Sequence, residues 1–145
     1  MRKLLLLLVI FSVFNAVHAL SSDAIEIFIS HGNSVSISTI GKVLRLNMTS
    51  GTVVYDNLNR VVQVGDISVT YDELSRVVQI GNISIKYDQS SRVINIGNIS
   101  IAYDFSNRVI KIGDAVITYD SLSRIINITG KTPDNMRFAT VPGQT

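Results

Sequence analysis

The sequence contains no cysteine and has only two histidines, His18 and His31. Without cysteine there can be no disulfide, no zinc site built on thiolates, no lipid-modified cysteine and no thiol nucleophile. The signatures HExxH, GxSxG, GxGxxG and the phosphate-binding P-loop are missing as well. We therefore predict that the protein is not an enzyme and that it uses no cofactor and no catalytic metal.

The first nineteen residues are typical of a secretory signal peptide. Arg2 and Lys3 precede an apolar run from residue 4 to residue 14, and Val17-His18-Ala19 then places small side chains where a signal peptidase cleaves. The apolar run is about half of the ~20 residues that a membrane-spanning helix needs. We predict cleavage after Ala19, no transmembrane span thereafter, and a secreted, periplasmic or cell-surface protein.

Removing this leader also removes the excess of positive charge. The whole chain has thirteen Lys and Arg against eleven Asp and Glu, and the loss of Arg2 and Lys3 leaves eleven of each. A formally neutral chain gives no support for a polybasic surface, so nucleic acid is not an expected partner.

A sixteen-residue repeat dominates the rest of the chain. Tyr-Asp recurs at 55, 71, 87, 103 and 119, and each copy continues with two variable residues, Ser or Asn, Arg and a β-branched strand. In the first four copies Gly-Asp or Gly-Asn and a second strand follow, whereas the fifth copy fades after its first strand. Gly65-Asp66 and its equivalents suit a two-residue type II′ turn, whose first residue needs a positive φ. The other turn begins at an Asp that can cap it and ends at a Ser or Asn that we expect in a left-handed conformation.

The tight turn sets a register in which residue 64 faces 67, 62 faces 69 and 60 faces 71. Alternation then predicts one apolar and one polar face. We expect Val62, Val64, Ile67, Val69 and Tyr71 on the apolar face of the first unit, with Val61, Gln63, Ser68 and Thr70 on the polar face.

The same register places Arg60 opposite Tyr71 and, across the longer turn, opposite Tyr55. A planar guanidinium beside an aromatic ring can form a cation–π pair. We interpret this row either as a polar rim that seals the core or as a ligand strip for sugars. The row consists of Tyr55, Arg60, Tyr71, Arg76, Tyr87, Arg92, Tyr103, Arg108, Tyr119 and Arg124.

The expected fold is an all-β antiparallel meander of repeated hairpins. We expect it to curl into a barrel-like or two-layer form; the alternative is an open curved sheet that hides its apolar face by self-association. Residues 20–54 are expected to form an N-terminal cap of irregular strands, residues 55–128 the five repeats, and residues 129–145 a loose polar tail.

The Tyr-Asp-x-x-x-Arg core that follows a β-branched strand resembles the YD (Rhs-type) repeats of secreted bacterial proteins. The resemblance covers residues 55–128 and rests on the Tyr-Asp and Arg of five units. It implies hairpins in curled β-sheets, export, and the cell-surface display or carbohydrate contact associated with that family. Five short units cannot enclose a cargo domain of the kind that some members of the family encapsulate.

These observations predict a secreted, non-enzymatic β-repeat protein with a structural or surface-interaction role. A small carbohydrate-binding module that uses the Tyr/Arg row is one alternative, and a self-assembling matrix or fibre protein is a second. The expected partners are accordingly a surface glycan, a surface protein or further copies of the chain.

Overall fold

The computed structural model of the protein describes residues 22–141. In this range the chain forms fourteen β-strands and one 3-10 turn, Ser30–Gly32. The predicted antiparallel all-β meander is therefore confirmed, while the predicted signal peptide, residues 1–19, lies outside the described residues. None of the helical structure between residues 22 and 141 is long and apolar enough to cross a membrane.

Ten strands form one antiparallel sheet in which the order of the strands is their order in the sequence. We call it the repeat sheet. Its first strand, which ends at Tyr55, lies mostly before the first repeat and pairs with the first strand of that repeat. Its strands are β4 (Val53–Tyr55), β5 (Val61–Val64), β6 (Ile67–Tyr71), β7 (Val77–Ile80), β8 (Ile83–Tyr87), β9 (Val93–Ile96), β10 (Ile99–Tyr103), β11 (Val109–Ile112), β12 (Ala115–Tyr119) and β13 (Ile125–Thr129).

The remaining strands form a second sheet that joins the two ends of the described range. It has the order β14-β1-β2-β3, with β1 at Ser22–Phe28, β2 at Ser34–Ser38, β3 at Val43–Asn47 and β14 at Met136–Val141. The loose tail that we expected after residue 128 is thus a strand from residue 136 to 141, paired with β1 from Ser22↔Val141 to Ile27↔Met136. An alternating Met-Arg-Phe pattern at the start of β14 allows this pairing.

The two sheets are layers on one hydrophobic core. Fully buried side chains from the four-stranded sheet, such as Ile25 and Ile37, belong to the same cluster as Ile80 and Ile96 of the repeat sheet. The turn between β2 and β3 also bonds to the repeat sheet, because the backbone N–H groups of Val77 and Val93 donate to the carbonyls of Gly41 and Thr39. The described strands therefore form a two-layer arrangement of open sheets, and no closed barrel occurs among them.

The face assignment within each unit needs one correction. Val61 is buried and Val62 only half-buried, the reverse of the prediction, and the same holds for the pairs at 77, 93 and 109. The cause is a β-bulge: Val54 pairs with Gln63 while Tyr55 pairs with Val61, so that one residue of β5 has no partner. A bulge reverses the alternation beyond it, and Val61 and Val64 consequently both face the core.

Both predicted turns are confirmed. Val64 pairs with Ile67 around the tight turn, and Gly65 has φ +60°. At the longer turn Asn59 has φ +57°, and the Ser or Asn of each later unit has a φ between +58° and +62°. These residues are Ser75, Ser91, Asn107 and Ser123.

Candidate functional site: the Tyr/Arg row

The Asp of each unit organises the turn on which the Tyr/Arg row stands. Oδ1 of Asp88 accepts hydrogen bonds from the backbone N–H groups of Ser90 and Arg92, both at 2.9 Å. Its Oδ2 accepts a third from Nε of Arg92 at 2.8 Å. The carboxylate thus caps the turn as an Asx-turn and fixes the guanidinium at the same time. The same three contacts recur at Asp56, Asp72, Asp104 and Asp120.

Each fixed guanidinium lies over the Tyr ring of the next unit. The distance from the guanidinium carbon to the ring centroid is 4.6 Å for Arg60 over Tyr71 and 4.3 Å for Arg76 over Tyr87. It is 4.7 Å for the two following pairs, Arg92 over Tyr103 and Arg108 over Tyr119. The predicted cation–π pairing across the tight turn is therefore present in four successive positions.

The hydroxyl group at the far end of each of these rings is also occupied. Tyr71 donates to the carbonyl of Val61 at 2.6 Å, and Tyr103 donates to the carbonyl of Val93 at 2.7 Å. Tyr87 and Tyr119 make the equivalent bonds to Val77 and Val109. Each half-buried ring therefore has a cation on one face and a backbone acceptor at its tip.

A further contact of the row goes beyond what the sequence predicted. Nη1 of Arg60 donates to Oγ of Ser75 at 3.1 Å, and Nη1 of Arg92 donates to Oδ1 of Asn107 at 3.0 Å. The sequence carries a signal for this contact, since the position is Ser or Asn in all five units. The left-handed backbone is one reason for Ser or Asn at this position. The other is that its side-chain oxygen accepts a hydrogen bond from the Arg of the preceding unit.

The electrostatics follow from these bonds. The backbone N–H of Arg92 is the main cause that lowers the pKa of Asp88; burial opposes it, and the Arg92 guanidinium lowers the pKa further. Burial raises the pKa of Tyr87 to about 12, although the Arg76 cation works in the opposite direction. The carboxylates are therefore held charged and the phenols neutral, which are the forms that the hydrogen bonds require.

The two ends of the row lack the contacts that its interior has. The side chain of Arg124 is 72% exposed, against 21–29% for the four arginines before it, and its bonds within the described residues are to Asp120. Tyr55 is 56% exposed, and no guanidinium in the described part of the chain lies over its ring. Tyr55 also pairs with Val61 rather than with Arg60, which corrects the register predicted across the longer turn.

Open space adjoins the exposed ring of Tyr55. A surface cleft of about 390 Å³ is lined by Lys42 and Val43 of the four-stranded side and by residues of the first two units, including Asn59 and Arg60. The cleft also borders Tyr71, but the Arg60 guanidinium covers one face of that ring, whereas in the described residues no guanidinium covers Tyr55.

His31 has one acidic side chain near it. His31 lies in the 3-10 turn with its Nδ1 3.7 Å from a carboxylate oxygen of Asp66, and both side chains are largely exposed. Between residues 22 and 141, no group of three or more His, Cys, Asp or Glu side chains is arranged to hold a metal ion.

The fold and the row define the chain as a two-layer all-β protein built on hairpin repeats. Comparison with known proteins adds no relative, because no protein-family model, no curated protein and no solved structure matches the chain.

Proposed function

We propose that the protein is an exported, non-enzymatic β-repeat protein with a structural or surface-interaction role. The observation that supports this proposal best is the use of the repeated polar side chains. In the inner units the Asp, Arg and Tyr side chains all bond to other parts of the fold, which leaves no free nucleophile, base or ligand set in the row. Repetition of such a contact set extends a stiff sheet; it does not create one reactive centre.

Export is supported by the leader-like first nineteen residues, and contact with a surface by the tips of the longer turns. Leu58, Leu74 and Leu122 stand exposed at three of the five tips, and Phe105 stands exposed at a fourth. The third unit carries Ser90 at the same position as the three leucines. Exposed apolar residues in a row along one end of a sheet suit contact with another surface better than they suit solvent.

The proposal is tested by expressing the full chain, with its own first residues, in an exporting host. We expect the chain outside the cytoplasm with Leu20 as its first residue, accessible to protease added to intact cells. A chain that stays in the cytoplasm with its leader intact would overturn the exported role.

The same experiment addresses the surface role with the triple variant Leu58→Ser, Leu74→Ser and Leu122→Ser. Ser90 shows that serine is compatible with this turn, so we expect an unchanged melting temperature and a weaker retention on washed cells. Equal retention of the wild type and the variant would argue against the turn tips as the contact surface.

Carbohydrate binding by the Tyr/Arg row stays a prediction. The covered faces of the inner rings leave Tyr55, beside its open cleft, as the ring on which a sugar could stack. A glycan array probed with the wild type and with Tyr55→Ala would detect such binding and locate it.

A further inference from the structure

The two exposed ends of the Tyr/Arg row are complementary to each other. Inside the sheet, each Arg finds a Tyr ring eleven residues later and a Ser or Asn acceptor fifteen residues later. Counting the same steps from Arg124 leads to residues 135 and 139, where the chain has left the repeat sheet for β14. Arg124 thus presents a guanidinium that Asp120 already orients through a 2.7 Å bond, and among the described residues no aromatic ring lies beneath it.

The opposite end presents what Arg124 lacks. Five units span eighty residues, so the positions missing after Arg124 correspond in the repeat to Tyr55 and Asn59. Tyr55 is exposed, and Asn59 has the same left-handed conformation as Asn107, which accepts from Arg92. The edge strands correspond in the same way, because β13 is equivalent to β5 and β4 is equivalent to β6.

The edge strands are also available for pairing. Ile126 and Ile128 of β13 and Val54 of β4 are exposed. In the repeat sheet β13 bonds to β12 alone, and β4 bonds to β5 alone. An unpaired edge strand with apolar side chains is a template for another strand of the same kind.

We propose that copies of this protein associate head to tail, with β13 of one copy beside β4 of the next and Arg124 stacked on Tyr55 of that next copy. The register of β5 and β6 gives the pairing: Asn127 lies opposite Thr52, as Gln63 lies opposite Ser68. The contact joins two different surfaces, so it does not close on itself as a two-fold dimer does, and its repetition generates a ring or an open chain of copies. The inference deepens the structural role proposed above by naming a second copy as the partner.

Two single variants and their mixture test the proposal. Arg124→Ala keeps the Tyr55 end, and Tyr55→Ala keeps the Arg124 end. We expect each variant alone to associate about tenfold more weakly than the wild type, since a cation–π pair and its accompanying hydrogen bond are lost. An equimolar mixture should form one-to-one dimers and stop there, because only one productive contact remains, whereas the wild type should continue to longer species in sedimentation velocity.

The outcomes are distinct. Wild-type protein that stays monomeric at every concentration would overturn the proposal, and so would oligomers that neither substitution weakens. Both side chains are exposed, so the variants should fold, and equal thermal melts of the monomers serve as the control. Association of purified protein does not depend on export. A chain that is exported but monomeric would therefore refute head-to-tail association alone, and one that associates but stays in the cytoplasm would refute the exported role alone.

Disulfide trapping tests the register even when association is weak, because the natural chain has no cysteine. The double variant Thr52→Cys with Asn127→Cys should form a ladder of disulfide-linked oligomers on oxidation. The matched control, Thr52→Cys with Thr129→Cys, is displaced by two residues along the strand and should cross-link far less. Equal cross-linking of the two variants would contradict the proposed pairing.

Discussion

In the repeat sheet one set of polar contacts recurs, whereas in the four-stranded sheet each polar contact occurs once. Asp88 and its four equivalents all accept the same three hydrogen bonds. By contrast, the buried side chain of Asn33 makes three bonds to the segment after β3 that no other residue repeats: its Oδ1 accepts from the N–H groups of Thr49 and Ser50, and its Nδ2 donates to the carbonyl of Ser50. The repeat sheet therefore distributes its stability over equivalent units, and the four-stranded sheet depends on particular residues.

The shared core limits how independent the two sheets can be. Neither sheet has a second apolar layer of its own, and their buried side chains form a single cluster. A polar substitution should consequently disturb only the unit or the segment in which it lies. A core substitution should destabilise both sheets together.

The largest effect is expected from removing core volume in either sheet. Ile37→Ala in β2 and Ile96→Ala in β9 both truncate side chains with no exposed surface. Each should lower the free energy of unfolding by about 2–5 kcal/mol, in a single transition by circular dichroism and by calorimetry. Two separate transitions, or a melt in which only one sheet is lost, would show that the layers fold independently.

A smaller effect is expected from Arg92→Lys, which keeps the charge but loses the planar fork. The lysine cannot bond Asp88, cover Tyr103 and reach Asn107 together, so we expect a loss of about 1 kcal/mol. Arg124→Lys is the matched control, because Arg124 has neither a ring nor a following unit to hold, and it should be close to neutral. Urea titrations of dilute protein compare the two; equal losses would mean that contact with the next unit adds nothing to stability.

The smallest effect is expected from Asp23→Asn in β1. Burial raises the pKa of Asp23, with a lowering by Arg108 and a further rise by Asp104, so its charged form is unfavourable in the fold. The stability that protonated Asp23 contributes is fully present below the ordinary pKa of about 3.9. It is lost as the pH rises through the higher pKa that Asp23 has in the folded protein. The Asp23→Asn variant, which is neutral at this position, should therefore melt slightly above the wild type at pH 7.

For the acidic residues of the repeat-sheet turns, the pKa shift and the pH dependence of stability have the opposite sign to those of Asp23. The pKa of Asp88 is lowered in the fold, so its contribution is present above its ordinary pKa and is lost as the pH falls through the folded value. Melts across the acid range should thus show Asp88→Asn below the wild type at neutral pH, with a difference that shrinks on acidification. A constant difference at every pH would rule out the charged hydrogen bonds as its cause.

Much of the repeat was predictable because its turns carry local signals. Gly65-Asp66 sets its pairing through a positive φ that glycine adopts freely, and Asp56 caps its own turn within four residues. The bulge in β5 was not predictable, since Val61 and Val62 are identical and either could face the core. A pair of equal side chains contains no information on which of them is turned inwards.

The part that β14 plays in covering the repeat sheet could not be read from the sequence either. The four-stranded sheet requires β1 and β14 to meet across more than a hundred residues, and no local pattern at either end specifies the partner. In the Tyr/Arg row, the stacking of Arg60 on Tyr71 followed from the tight turn, whereas no pattern in the sequence indicated the bond from the Tyr71 hydroxyl to the Val61 carbonyl.

The pairing of β1 with β14 has a consequence for the order in which the molecule is made. A ribosome delivers β1 more than a hundred residues before β14, so β1 waits for one of its two neighbours while the whole repeat sheet emerges. The hairpins between them have contacts of low sequence separation and can form as they appear. Among the described strands, the pairing of β1 with β14 should accordingly be the last and the slowest to form.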